Sequence, residues 1–167
     1  MFDVARLKDV LAQYRQRFVS SQWGEEKYKW EAVKWFQDNW DVNADDFPQM
    51  LNTSLGKTNN LLSSNNNFPR GMIVNLAKFA PEEVRAMFID LFNENKDVFE
   101  RINTFKLQSS MLSEKYGKEV LGRDVQDYQH ENPISTYLWL RYPDKYYIYK
   151  FGEVSKVAKE LCSHPLK

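Results

Sequence analysis

The chain has 167 residues, 43% of them hydrophobic and 15% aromatic, and this composition excludes an intrinsically disordered protein. Lysine plus arginine and aspartate plus glutamate number 23 each, so the zero formal charge excludes a uniformly basic surface and leaves only a local basic patch. Because there is one cysteine, Cys162, and no apolar run of about 20 residues, the sequence predicts a soluble, cytoplasmic single domain over 1–167 without an internal disulfide or a membrane span.

Apolar residues at helical spacing predict helices along most of the chain. Six are predicted in the first two thirds: about 3–19, about 25–40, a third after Asp46, a fourth from Pro69, a fifth from Pro81 and a sixth from Val98 to Tyr116. Asp46 and Gln49 have the spacing of a capping box, which supports a helix start at this point. In the first helix the apolar stripe is wide enough to face a core.

The pattern changes near the end of the chain, in the segment "ISTYLWLRYPDKYYIYKF". Its β-branched and aromatic residues, interrupted by Pro143-Asp144, predict a β-hairpin that pairs about 135–142 with about 145–151. A last helix is predicted over about 153–161. The predicted fold is therefore mainly α, with about seven helices and one late β-hairpin (about 135–151) packed on them.

The stretch "NTSLGKTNN" contains Gly56, Lys57 and Thr58, the last three residues of a phosphate-binding loop. The full motif requires a leading glycine at the position of Leu51, and a strand before it. The upstream residues instead continue a helical pattern, so this GKT is predicted to lie inside or at the end of the third helix. The motif therefore predicts no nucleotide cofactor.

Other catalytic and metal-binding patterns are also missing. The two histidines are His130 and His164, and only the second has a further candidate ligand, Cys162, close in sequence; two such residues do not complete a zinc site. There is no G-x-S-x-G nucleophile motif, and paired acidic residues fall at predicted helix starts, where they complement the helix dipole. We therefore predict that this chain is not an enzyme and has no metal or other cofactor.

The aromatic residues are the main candidates for ligand contact. Four tryptophans interleaved with lysines lie in or near the second helix: Trp23, Trp30, Trp35 and Trp40. They belong either to a core helix that packs against other elements on two sides, or to an exposed surface, bordered by lysines, on which a ligand stacks. One face of the predicted hairpin must likewise pack on the helices, and the rings and cations of the other face suit base stacking and phosphate contact. The strand register determines which residues lie on which face, and the sequence leaves that register open.

Three segments, "YKWEAVKWFQDNWDVNADDFPQML", "KTNNLL…NNNFPRGMI" and "ISTYLWLRYPDKYYIYKF", resemble the N-terminal region of McrB-type AAA+ proteins, which are bacterial proteins related to the motor subunit of 5-methylcytosine-specific restriction systems. The resemblance extends roughly from Lys27 to Leu161. It implies a DNA-recognition module, often for modified DNA, followed by an AAA+ motor domain that hydrolyses a nucleoside triphosphate and acts with a separate nuclease subunit. Since this chain has no complete phosphate loop, the motor's activity is not carried onto any of its residues.

The sequence thus leads to two hypotheses of different classes. The first is the DNA-targeting module of a McrB-like restriction ATPase, taking part in bacterial defence and reading a base that is flipped out of the duplex if that base is modified. Its predicted nucleic-acid contacts are Lys34, Tyr137, Trp139, Arg141, Lys145, Tyr146 and Lys150. The alternative is a protein-interaction or assembly module that docks on its own motor ring or on a partner subunit, which the neutral charge favours.

Overall fold

The computed structural model of the chain describes residues 3–18, 23–63 and 67–161, and this part is mainly helical and contains no β-strand. Its α-helices are α1 (Val4–Arg17), α2 (Trp23–Asn39), α3 (Phe47–Ser54), α4 (Asn59–Leu62), α5 (Pro69–Phe79), α6 (Pro81–Leu91), α7 (Val98–Tyr116), α8 (Glu131–Arg141) and α9 (Phe151–Leu161). A π-helical turn, Gly117–Leu121, continues α7. The mainly helical class predicted from the sequence is confirmed.

An aromatic cluster forms the centre of the core, where α2, α6, α7 and α8 meet. The ring centroid of Phe88 lies 5.3 Å from those of Trp40, Phe105 and Tyr137. These inclined and edge-on contacts are favourable beyond the apolar area that they bury. The core therefore fixes the relative positions of helices that are far apart in sequence.

The start of α3 agrees with the capping pattern, because the Asp46 side chain accepts a hydrogen bond from the Gln49 backbone N–H at 3.0 Å. The helix ends at Ser54 and the chain then turns, where the Thr58 hydroxyl donates to the Leu55 carbonyl at 2.7 Å. The GKT sequence thus lies in the turn just after α3, next to the predicted position inside or at the end of that helix. The short helix α4 follows it as a separate element.

The structure corrects the predicted hairpin, because residues 135–141 belong to α8 and not to a strand. Every residue from Pro133 to Leu140 is buried, and α8 contacts α2, α4 and α7. A helix that is buried on all sides has no polar face, so its sequence shows no helical period, and a short apolar run of this kind is easily mistaken for a strand. Pro143 then ends the helix, since the residue before a proline disfavours helical geometry.

The second predicted strand, 145–151, is also not a strand. The backbone near Tyr149 bonds to side chains of α8: the Asn132 amide donates to the Tyr149 carbonyl at 2.7 Å, and the Tyr149 N–H donates to the Ser135 hydroxyl at 2.8 Å. These side chains supply the bonds that a neighbouring strand supplies in a sheet. The segment after α8 is therefore irregular until α9 begins.

The terminal helices α1 and α9 pair with each other, and the Asp3 N–H donates to the Leu161 carbonyl at 2.8 Å. No residue of α1 is buried, which corrects the prediction that its apolar stripe faces a core. Val4, Leu11 and Tyr14 of that stripe are exposed. None of the described helices combines the length and the apolar character that crossing a membrane requires.

Candidate functional site

Two of the three rings predicted to stack on a base, Tyr137 and Trp139, are buried, whereas the third, Tyr146, is half-buried. Tyr137 is 0% exposed, and its hydroxyl donates to the Gln129 side-chain carbonyl at 2.9 Å. Burial raises the pKa of the Tyr137 hydroxyl well above its ordinary value, which keeps the ring neutral. Trp139 is also buried and packs edge-on against Trp30, with centroids 5.8 Å apart. Stacking a base on either ring requires disruption of α8, so this part of the predicted site is wrong.

Two of the predicted phosphate contacts, Lys34 and Lys145, and the predicted stacking ring Tyr146 already have partners within the protein. Lys34 forms an ion pair with Asp38 at 2.8 Å, and Lys145 pairs with Glu94. The Lys145 ammonium group lowers the pKa of the Glu94 carboxyl and so keeps that pair charged. Tyr146 contacts the same carboxylate through its hydroxyl, at 3.0 Å.

The remaining predicted cations, Arg141 and Lys150, are exposed, and the Arg141 guanidinium lies 5.5 Å from the Tyr142 ring centroid. The predicted residues therefore do not converge on one surface: the rings belong to the core, Lys34 lies on α2, and Lys145 and Tyr146 are bound to Glu94.

The metal-ligand candidates are similarly separated. His130 precedes α8, and its Nδ1 accepts from the Asn132 N–H at 3.4 Å, so it acts as a helix cap. Cys162 and His164 lie outside the described residues. Within the described ranges, no group of three or more His, Cys, Asp or Glu side chains is placed to hold a metal ion.

A different surface has the chemistry expected of an anion site. It is a cleft of about 280 Å³ that runs along α5 beside the C-terminal part of α3, and we call it the α3–α5 cleft. Its lining residues are Asn52, Phe68, Arg70, Gly71, Val74, Asn75 and Lys78. Two of them are cations, two are amides and none is a carboxylate, so the cleft combines positive charge with neutral hydrogen-bonding groups.

Arg70 is the central charge of this cleft. One of its guanidinium nitrogens donates to the Asn59 side-chain carbonyl, and the other lies 3.3 Å from the Asn52 Oδ1 atom. Both partners are neutral, and no acidic side chain of the described chain forms an ion pair with Arg70. Partial burial lowers its pKa from the ordinary value of 12.5, because desolvation disfavours the charged form. An anion from outside the chain would relieve this cost.

The Phe68 ring forms one wall of the cleft and is 53% exposed. It lies directly against Gly71: a side-chain carbon added at this glycine would come within 1.6 Å of the ring. Only glycine leaves room for the ring to lie across the first turn of α5. The ring is therefore held in place on one side and open to solvent on the other.

A second exposed ring lies close to the same region. Trp35 is 38% exposed, its indole N–H donates to the Thr53 carbonyl at 2.7 Å, and Lys57 lies 5.7 Å from its ring centroid. Asn59, which bonds to Arg70, lines an adjacent depression together with Lys57. Asn59 thus connects the cleft to this depression, whose lining contains the Glu31 carboxylate as well as Lys57.

Sequence reasoning missed the α3–α5 cleft, although a signal for it was present. In "NNNFPRGM" the aromatic residue Phe68 precedes the proline that begins a helix, and Gly71 lies three positions after Phe68. Positions three apart lie on one face of a helix, so this spacing places a small residue beneath the ring. The absence of acids from this stretch also distinguishes it from most of the chain.

Comparisons with models of known protein families, with curated proteins and with solved structures found no match to this chain. The resemblance to McrB-type proteins therefore stays a prediction from the sequence.

Proposed function

We propose that the chain is a nucleic-acid recognition module that binds DNA at the α3–α5 cleft. The observation that carries this proposal is Arg70, a partly desolvated cation with only amide partners, beside the open ring of Phe68. The proposal keeps the role implied by the McrB-type resemblance but moves the contact surface from the 135–151 segment to the cleft.

Phosphate is the anion that suits this surface best. A guanidinium group matches two phosphate oxygens at once, and Lys78 in the cleft and Lys57 in the adjacent depression supply further point charges. At about 280 Å³ the cleft is slightly smaller than sites that enclose a drug-sized molecule. It therefore suits one portion of a polymer that continues beyond its ends better than a free small ligand.

The neighbouring groups suit a nucleobase. An open aromatic ring stacks on any base and contributes about 1–3 kcal/mol per base in single-stranded complexes. The side-chain amides of Asn52 and Asn75 carry both donors and acceptors and can pair with base edges. Phosphate contacts then position the strand, and the ring and the amides contact its bases.

The direct test is a titration of the chain with fluorescently labelled DNA, both duplex and single-stranded, methylated and unmethylated, at several salt concentrations. If Lys57, Arg70 and Lys78 each neutralise one phosphate, the logarithm of the association constant should fall with the logarithm of salt with a slope of about −2 to −3. Replacing Lys78 with alanine should reduce the magnitude of that slope by about 1.

Gly71→Ala is the single variant that tests the role of the Phe68 ring most directly. The added methyl group displaces the Phe68 ring, so affinity should fall by about 5- to 150-fold, as it should in Phe68→Ala. The substitution should not destabilise helix α5 itself, because alanine is more favourable than glycine in a helix by about 1 kcal/mol. Circular dichroism of both variants separates a loss of binding from a loss of folding.

Lys150→Ala serves as the matched control for Lys78→Ala, because Lys150 is also exposed but does not line the cleft. If Lys150→Ala lowers affinity and Lys78→Ala does not, the cleft is the wrong site. If no DNA binds at low salt and the chain self-associates, the assembly alternative is supported instead, with Leu11 and Tyr14 on the exposed stripe of α1 as its first candidates.

A further inference from the structure

The depression beside the α3–α5 cleft has a volume of about 360 Å³ and lies between α2 and the turn that leads into α4. We call it the α2–α4 depression. Its lining residues are Tyr28, Glu31, Gly56, Lys57, Asn59 and Asn60. It meets the cleft at one hydrogen bond, because Asn59 in the depression accepts from Arg70 in the cleft. The cleft and the depression are therefore neighbouring positions along one surface.

Glu31 determines which part of a nucleotide suits the α2–α4 depression. Its carboxylate repels phosphate, but it accepts hydrogen bonds from the exocyclic amino groups that cytosine and adenine carry. The Lys27 ammonium group lies 3.2 Å from one of its oxygens, and both side chains are more than half exposed. A contact of this kind is weak and leaves acceptor positions of the carboxylate free. The depression therefore suits a base, whereas Arg70 at its border suits a phosphate.

The depression is not a phosphate-binding loop, although Gly56 and Lys57 of the GKT sequence line it. In such a loop the Thr58 hydroxyl would hold Mg²⁺, but here Thr58 is buried and donates to the Leu55 carbonyl. Gly56 instead allows the turn to approach α3, since a side-chain carbon added there would lie 2.9 Å from the Thr53 carbonyl oxygen. Lys57, as one point charge, matches a single phosphate of a strand better than a triphosphate.

The open ring of Phe68 requires an unpaired base. In a duplex the neighbouring bases cover both faces of each base, so a base must leave the stack before it can lie on the ring, and this step costs free energy. The cations offer little compensation, because the described residues supply only Lys57, Arg70 and Lys78 to the cleft and the depression. Binding a duplex through its backbone depends on many phosphate contacts, and the formal net charge of the chain is zero.

We propose that the cleft and the depression are neighbouring nucleotide subsites for single-stranded DNA. Phe68 stacks on one base, Arg70 contacts the phosphate that follows, and Glu31 accepts from the amino group of a cytosine or adenine in the second subsite. This inference rests on the proposed DNA-binding function and names the form of DNA that the site binds.

The test compares two forms of one mixed sequence by competition fluorescence anisotropy with the full chain. The first is a single strand of about eight nucleotides, a usual length for one single-strand site, and the second is a hairpin whose stem has the same sequence. The single strand should bind about tenfold more tightly or better. Phe68→Ala should weaken the single strand by about 5- to 150-fold and change the weaker binding of the hairpin by less than about twofold, because paired bases do not reach the ring.

Glu31→Gln tests the second subsite. Strands of deoxycytidine and of deoxythymidine both contain pyrimidines, but only cytosine has an amino group that can donate to Glu31. At neutral pH the deoxycytidine strand should bind about fivefold more tightly, and Glu31→Gln, which leaves a neutral acceptor, should reduce this ratio to about twofold or less. Glu25→Gln is the matched control, because Glu25 is an exposed acid of the same helix that lines neither subsite, and it should leave the ratio unchanged.

The possible failures are distinguishable. Equal affinity for the hairpin and the single strand, with Lys78→Ala weakening both, would overturn the preference for single strands and leave the proposed DNA-binding function in place. A preference for the single strand together with an unchanged base ratio in Glu31→Gln would overturn the α2–α4 depression as the second subsite. If neither form binds at low salt, the proposed function fails and this inference fails with it.

Discussion

Replacing Tyr137 with alanine is expected to lower the free energy of unfolding by about 3–5 kcal/mol. The ring is fully buried in the aromatic cluster, so its removal leaves a cavity beside Phe88 and Phe105, whose centroids lie 5.3 and 6.0 Å away. It also leaves the Gln129 side-chain oxygen without its donor. Since a domain of this size has only about 5–15 kcal/mol of stability, the variant should be close to unfolding. Urea denaturation followed by circular dichroism measures the change.

Tyr147→Ala is the matched control, because Tyr147 lies ten residues further along and is 80% exposed. It should change the free energy of unfolding by no more than about 0.5 kcal/mol. Tyr137→Phe should fall between the two, at about 1–3 kcal/mol, because it keeps the ring and removes only the hydrogen bond. A Tyr137→Ala variant that is fully stable but binds DNA poorly would restore Tyr137 to a surface role and contradict the buried position of α8.

The helices that sequence predicts well are those with one apolar and one polar side. In α5 and α6 the buried residues recur at three and four positions and a proline opens each helix, so both period and boundary are visible in the sequence. Helix α8 has no such contrast, because all its sides contact protein, and its β-branched and aromatic residues then favour a strand. Tertiary burial, which no local pattern records, decided its structure.

The burial of α8 also explains the errors in the candidate site. The choice of residues from the predicted hairpin assumed a strand with one exposed face. In the structure Tyr137 and Trp139 belong to the buried helix α8, so their rings are part of the core. The α3–α5 cleft, in contrast, joins Asn52 and Lys78 from helices separated in sequence. Only a few of its contacts are local, such as the ring of Phe68 over Gly71, and only these could have been predicted without the fold.

Arg101→Ala is expected to lower the free energy of unfolding by about 3 kcal/mol, because two charge-assisted hydrogen bonds are lost from a buried position. Arg101 is on α7, and its guanidinium donates to the Leu91 carbonyl at the end of α6 and to the Tyr146 hydroxyl, both at 2.7 Å. The Tyr146 hydroxyl in turn donates to Glu94. These bonds fasten the segment after α8 to the corner between α6 and α7.

Arg101→Lys separates the charge from the shape of the side chain. Lysine keeps the positive charge but cannot reach both acceptors with a rigid planar group, so the loss of stability should be only partly recovered. Tyr146→Phe should remove one of the two bonds and cause a smaller loss, and its effect should be strongly non-additive with that of Arg101→Ala in a double-mutant cycle followed by urea denaturation. Additive effects would mean that Arg101 supports the α6 end alone. The irregular segment would then be held mainly by the Asn132 and Ser135 bonds to Tyr149, and not by this network.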